Sequence, residues 1–136
     1  MHITQESDYA VRIVYCLARC GQRRDARSIS EEMCVTLRFS LKILGKLAGA
    51  GIVRSYKGNR GGYELARSAG EISLRDVIEA VEGPYRLTRC LEGEACSRGA
   101  CGVCPFQKVF GQITDSVNRQ LAETNFSALL AEENAQ

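Results

Sequence analysis

Histidine occurs once in the 136 residues, at position 2, and proline only twice. With no second histidine most hydrolytic triads are unavailable, and no other nucleophile–base pair is apparent. No apolar run approaches the ~20 residues that span a bilayer. Residues 1–6 lack the basic stretch and apolar run of a secretory signal, so the expected location is the cytoplasm, without membrane attachment. The glycine-rich stretch at 58–62 lacks the GK[ST] of a phosphate-binding loop. There is no internal repeat and no low-complexity segment. What is present, 45% hydrophobic and 25% charged residues, suits one globular unit and excludes wholesale disorder or a collagen-like chain.

The net charge of +2 conceals a division. Residues 19–67 hold eleven of the 18 basic side chains but four of the 16 acidic ones, which leaves the remainder acidic. A basic block in a near-neutral chain points to a face for a polyanion. Cysteine is abundant, with seven residues. An odd count in reducing cytosol argues against a disulfide framework and for metal or redox chemistry.

Hydrophobic spacing divides the chain further. Ala10, Ile13, Val14 and Leu17 form one stripe of a helix over 7–20, stopped by Gly21. Ser28 and Glu31 have capping-box spacing and open a short second helix with Ile29 and Met33 on one face. Thr36 caps a third helix reaching about residue 50, with Ile43, Leu44 and Leu47 inward and Arg38, Lys42 and Lys46 repeating on another side. Residues 52–56 and 63–65 are strand-like around a basic, glycine-rich tip, which predicts a hairpin. Ser73 and Asp76 cap a fourth helix bearing Leu74, Val77, Ile78 and Val81, stopped by Gly83 and Pro84. Pro105 opens a helix of about 19 residues, or ~28 Å. Phe106, Val109, Phe110, Ile113, Val117 and Leu121 run along it. It extends from a domain whose core already looks complete, so it is expected to pack on a second copy. The tail at 132–136 is expected to fray.

Three helices and a hairpin, the third helix basic on one side, describe a winged helix-turn-helix. The expected class is mainly α with a small β-hairpin and a long C-terminal dimerisation helix. The DNA-binding domain would span 1–83, a cysteine-bearing loop 84–104, and the dimerisation helix and tail 105–130. A helix of this width fits the major groove, where Arg or Lys reaches guanine edges or phosphates. Arg38, Ser40, Lys42 and Lys46 are the candidate contacts on the helix; Arg54, Ser55, Lys57, Asn59 and Arg60 are those on the wing. Double-stranded DNA is the expected partner. A protein-binding winged helix with a charged solvent face is the alternative.

Cys90, Cys96, Cys101 and Cys104 follow the spacing C-x5-C-x4-C-x2-C just before a helix N-terminus. Thiolates ligate zinc or iron–sulfur clusters. Structural zinc usually takes two close pairs, and only Cys101 and Cys104 form one, so the spacing leans to a cluster with zinc as the alternative. Cys16, Cys20 and Cys34 lie in predicted helices and read as small buried side chains.

The chain resembles the IscR- and NsrR-like family of iron–sulfur transcription regulators over about residues 1–130. Thr4 with Ser7-Asp8-Tyr9-Ala10-Val11-Arg12, residues 48–55, Gly61-Gly62-Tyr63-Glu64-Leu65-Ala66 and 71–78 carry the likeness, together with Val81-Glu82-Gly83, Cys90, Cys96 and Cys104-Pro105. The resemblance implies a regulator, not an enzyme. It implies a homodimer joined through the long helix on a palindromic operator, acting as a repressor that senses redox state, nitric oxide or iron–sulfur status. Cys90, Cys96 and Cys104 match the family's three ligand cysteines. Gln107 stands where IscR-like members carry a histidine. The fourth ligand is then Asp8 of the other subunit, as in NsrR-like members, or Cys101, and the cluster is 2Fe–2S or 4Fe–4S. Relatives often carry leucine and then a polar residue where Ser40 and Leu41 stand; Leu41 is a contact to a thymine methyl or part of the core. A zinc-stabilised or metal-free winged-helix regulator with thiol-based sensing is the alternative reading.

Overall fold

The computed structural model describes residues 2–92, 96 and 104–136. Six α-helices, two short 3-10 turns and one two-stranded antiparallel sheet account for the described elements. Helix α1 spans Gln5–Cys20, two residues longer at its start than the apolar spacing suggests. The Thr4 side chain accepts from the Ser7 amide, and Gly21 closes the helix at φ 65. The predicted stripe of Ala10, Ile13, Val14 and Leu17 is buried.

Helix α2 is Ala26–Met33. Its cap is Asp25, whose carboxylate accepts from the Ser28 amide at 2.8 Å, so Ser28 is not the cap expected from its pairing with Glu31. Both pairs have the same three-residue spacing and both residue types cap well; Asp25 simply comes one turn earlier. Thr36 caps α3, Leu37–Gly49, as expected. Strands β1, Val53–Tyr56, and β2, Gly62–Leu65, pair in the register Val53 with Leu65 and Tyr56 with Gly62. Helix α4, Leu74–Glu82, begins with a complete capping box between Ser73 and Asp76. Helix α5 is Pro105–Glu123, the 19 residues its periodicity indicates.

The last element departs from expectation. The chain turns back after α5 into α6, Phe126–Asn134, capped by Asn125. The Leu74 amide donates to the Thr124 carbonyl and the Phe126 amide to that of Ile72. Phe126 is fully buried with Ile13, Leu17, Leu47 and Val77 in one core. The core is therefore completed by the C-terminal segment, and α5 is anchored at its far end. Helix α6 runs into the expected tail, to Asn134, and its Glu133 accepts a hydrogen bond from Tyr15 of α1.

Helix α5 divides its apolar stripe. Thr114 is buried, accepting from the Leu87 amide at 3.2 Å, and Asn118 donates to the Tyr85 carbonyl. Those contacts hold one face against the segment after α4. Phe106, Val109 and Ile113 stay exposed. Among the described residues no helix is long and apolar enough to cross a membrane.

Candidate nucleic-acid interface and thiol site

Helix α3 carries no acidic residue. Its inner face, Ile43, Leu44 and Leu47, is fully buried and fixes which side looks outward. Arg38 and Lys42 are exposed, the Lys42 ammonium lying 3.6 Å from the Glu6 carboxylate of α1. Two other sequence candidates are not available on that surface. Ser40 is completely buried and its hydroxyl has no partner, because position 40 falls one turn before Leu44 on the core side. Lys46 is half-buried and already engaged: its ammonium lies 2.6 Å from Glu6 of α1 and 3.2 Å from the Val81 carbonyl. That lysine ties α3 to α1 and α4.

Sequence spacing has no signal for Glu6, because the pairing spans 40 residues. Its carboxyl is held below the usual range, chiefly by the hydrogen bond from Lys46. A depressed carboxyl stabilises the fold above its unfolded value and loses that contribution as pH falls through the folded one. Glu6→Gln should therefore cost about 0.5 kcal/mol at neutral pH. The difference from wild type should begin to shrink as pH drops below the ordinary value of 4.5 and vanish below the lowered folded value. Urea titrations at pH 7 and in acid measure both.

On the wing, Arg54, Ser55, Lys57, Asn59 and Arg60 are all exposed. Arg38, Arg54, Lys57 and Arg60 form no ion pair with the described carboxylates. The tip turns through a Gly61 amide bond to the Gly58 carbonyl.

Two arginines outside the candidate set hold this hairpin. The Arg23 guanidinium lies 3.3 Å from the Tyr56 ring centroid, donates to the Arg60 carbonyl at 3.0 Å and reaches Glu64 at 3.9 Å. Arg24 exchanges both backbone hydrogen bonds with Tyr63. Its side chain spans Ser28, Glu32 and the buried Cys16 sulfur. The loop before α2 is thus joined to β2 by a single antiparallel bridge. In the sequence it is only a polar connection. Arg23→Ala should leave the core intact, cost about 1 kcal/mol, and speed amide hydrogen exchange at 56–63; exchange by NMR checks this.

The cysteines separate into two groups. Cys16 is buried as expected, and burial pushes its thiol up. Cys20 and Cys34 are exposed, contrary to expectation. Cys20 is the last residue of α1, and Cys34 closes α2 at φ 57, so neither points along a packed helix face. Cys90 lies half-buried in the short 3-10 turn Arg89–Glu92, its sulfur 3.0 Å from the Thr88 hydroxyl. Cys104 is the half-buried N-cap residue of α5. Gln107, in the first turn of α5, reaches the Cys90 carbonyl at 3.5 Å. This brings the Cys90 turn to the end of α5 that begins at Cys104. Cys96 is exposed, and Cys101 lies outside the described residues. Asp8, on α1, pairs with Arg12 at 2.7 Å. Among the described residues no group of three potential ligands is close enough to hold a metal ion.

Residues 3–132 match the model of the Rrf2 family, described as "Iron-dependent Transcriptional regulator". Protein aau3 of Rhizobium meliloti is 36% identical over 93 residues, covering 68% of this chain and 60% of that protein. IscR of Xenorhabdus nematophila is 34% identical over 101 residues, 73% of this chain and 62% of its own length. The chain thus spans about three-fifths of these two relatives. Among solved structures, T. potens IscR superposes with a TM-score of 0.81 at 22% identity, over 100% of this chain and 91% of that one. The oxidized form of Staphylococcus aureus CymR gives 0.73 at 30% identity, over 95% of each. With a winged helix-turn-helix and a family match along nearly its whole length, the chain belongs to the Rrf2 family of DNA-binding transcriptional regulators.

Proposed function

We propose that this regulator binds operator DNA as a homodimer and represses transcription according to the state of an iron–sulfur cluster. The observation that carries the reading is the approach of Cys90 to the start of α5 through Gln107, beside the half-buried Cys104. Two soft donors flank one helix N-terminus. Cys90, Cys96 and Cys104 would hold the cluster, with the fourth ligand from Asp8 of a second copy or from Cys101. When bound, such a group supplies a crosslink that oxidants, nitric oxide or iron shortage can break.

The chain's own part is mechanical. The segment after α4 lies on α5 through Leu87, Tyr85 and Gln107. Tethering Cys90 to Cys104 holds that segment at both ends and fixes α4 against α5. The exposed Phe106, Val109 and Ile113 suit a second α5 as partner. Each reading head is then positioned by the loop, and half-sites about 34 Å apart tolerate little change in spacing. A difference in DNA affinity between tethered and free states is all the switch requires.

Protein purified without air should carry iron and acid-labile sulfide and absorb visible light, and Cys96→Ala should lose all three. Gel shifts at two salt concentrations, with and without iron, complete the test. Stoichiometric zinc, or iron-free protein with undiminished operator binding, overturns the cluster reading. A second reading, a cluster-free thiol regulator, is favoured by the exposed Cys20 and Cys34 and by the likeness to oxidized CymR. It predicts that Cys20 or Cys34 variants, and not Cys96→Ala, remove the response to oxidant.

A further inference from the structure

Helix α3 contains two residues that its own fold does not explain. Leu41 is 46% exposed, and it is absent from the apolar residues packed against the core. Gly45 follows one turn later on the same face. A Cβ there would meet nothing within 4 Å, and its backbone is ordinary helix. Glycine inside a helix costs roughly 1 kcal/mol against alanine. No neighbour in the structure requires that cost. Phe39, the other exposed apolar residue of α3, is engaged from within: its ring stands edge-on to Tyr9 at 6.0 Å.

The surroundings of Leu41 define what could cover it. Arg38 precedes it by three residues and Lys42 follows directly; both are exposed and the helix has no carboxylate, with Lys42 3.6 Å from Glu6 of α1 and Arg38 paired with no described carboxylate. The occupant must be anionic at its edges and apolar at its centre. It must also approach closely enough for a missing Cβ to matter. The major groove has this character: phosphates line both walls, and the thymine C5-methyl is the apolar group on its floor.

We infer that Leu41 is a sequence-reading side chain, closing on a thymine methyl, and that bare backbone at Gly45 lets α3 sit deep enough for the contact. This rests on the DNA-binding reading and adds a base preference to it. It predicts that Arg38 and Lys42 supply attraction, and that Leu41 supplies discrimination.

The test uses the full chain, purified without air, and a random-sequence duplex library. Sites selected by the wild type should share a T·A pair in each half-site. Replacing that thymine by deoxyuracil, which removes only the methyl, should weaken wild-type binding about fourfold per half-site. Leu41→Ala should bind thymine and uracil duplexes equally. Gly45→Ala should raise the thermal midpoint yet weaken binding to the selected site, opposite signs that a purely structural role does not produce. Uracil replacement without effect at every selected thymine, or an equal uracil penalty in Leu41→Ala, overturns the inference while DNA binding itself stands. Failure of the wild type to bind any duplex overturns both.

Discussion

Phe126→Ala should lower stability by about 3–5 kcal/mol, the range for truncating a large buried aromatic. Phe126 is wholly enclosed, the largest of the fully buried side chains. It lies in a cluster drawn from α1, α3, α4 and the hairpin. Its removal leaves a cavity in the core that these elements share. The backbone pairing of Ile72 and Leu74 with residues 124–126 would weaken as well. A loss of this size is much of the stability of an ordinary domain, and urea titration measures it directly. The variant also separates two architectures. Were the DNA-binding unit complete before α5, the substitution would leave it folded; a cooperative loss of the whole chain is the expected outcome.

Gly62→Ala should be the most damaging single change in the wing, at about 3 kcal/mol from backbone strain and overpacking together. Gly62 has φ 144, and a Cβ there would stand 2.6 Å from the Arg24 carbonyl oxygen. The obstacle is backbone, in the bridge that joins the loop before α2 to β2, so no side chain can yield. The hairpin would have to leave Arg24, and the Arg23 stack on Tyr56 would go with it. Operator affinity should fall accordingly, while α1, α3 and α4 keep their helical signal. Circular dichroism with a gel shift distinguishes this from global unfolding. Gly58→Ala is the control: its φ is also positive, but a Cβ there would meet nothing, so only the strain of order 1 kcal/mol remains.

Much of this was legible from residue order. The caps at Thr36 and Ser73, the stop at Gly83, the buried stripe of α1 and the length of α5 all follow from groups within four residues of one another. Local hydrogen bonds and helical periodicity act at that range. The hairpin was legible for the same reason, since its strands are joined by a short glycine-rich turn. The candidate interface was legible in outline, as a basic helix and a basic tip.

Its membership was not. Whether a lysine at regular helical spacing faces solvent depends on what stands opposite. Lys46 meets Glu6, forty residues away, and is engaged there. Ser40 lies on the same helix but on its buried side. Leu41 was ambiguous until its neighbours were placed. Arg23 and Arg24 looked like an unremarkable polar loop, because their partners Tyr56, Tyr63 and Glu64 come from a later hairpin. For Phe126 the sequence held only a short apolar run after a long helix, with nothing to say that the chain returns to strand-like residues near Ile72.

Residue order alone therefore settled the elements, their ends, the basic character of one region and the clustering of four thiols, since each is a property of nearby residues. Three-dimensional packing settled which cations stay free, what positions the wing, that the C-terminal segment completes the core, and that the Cys90 turn meets the start of α5. Those outcomes depend on contacts between distant segments, whose free energy exists only once the chain has brought them together.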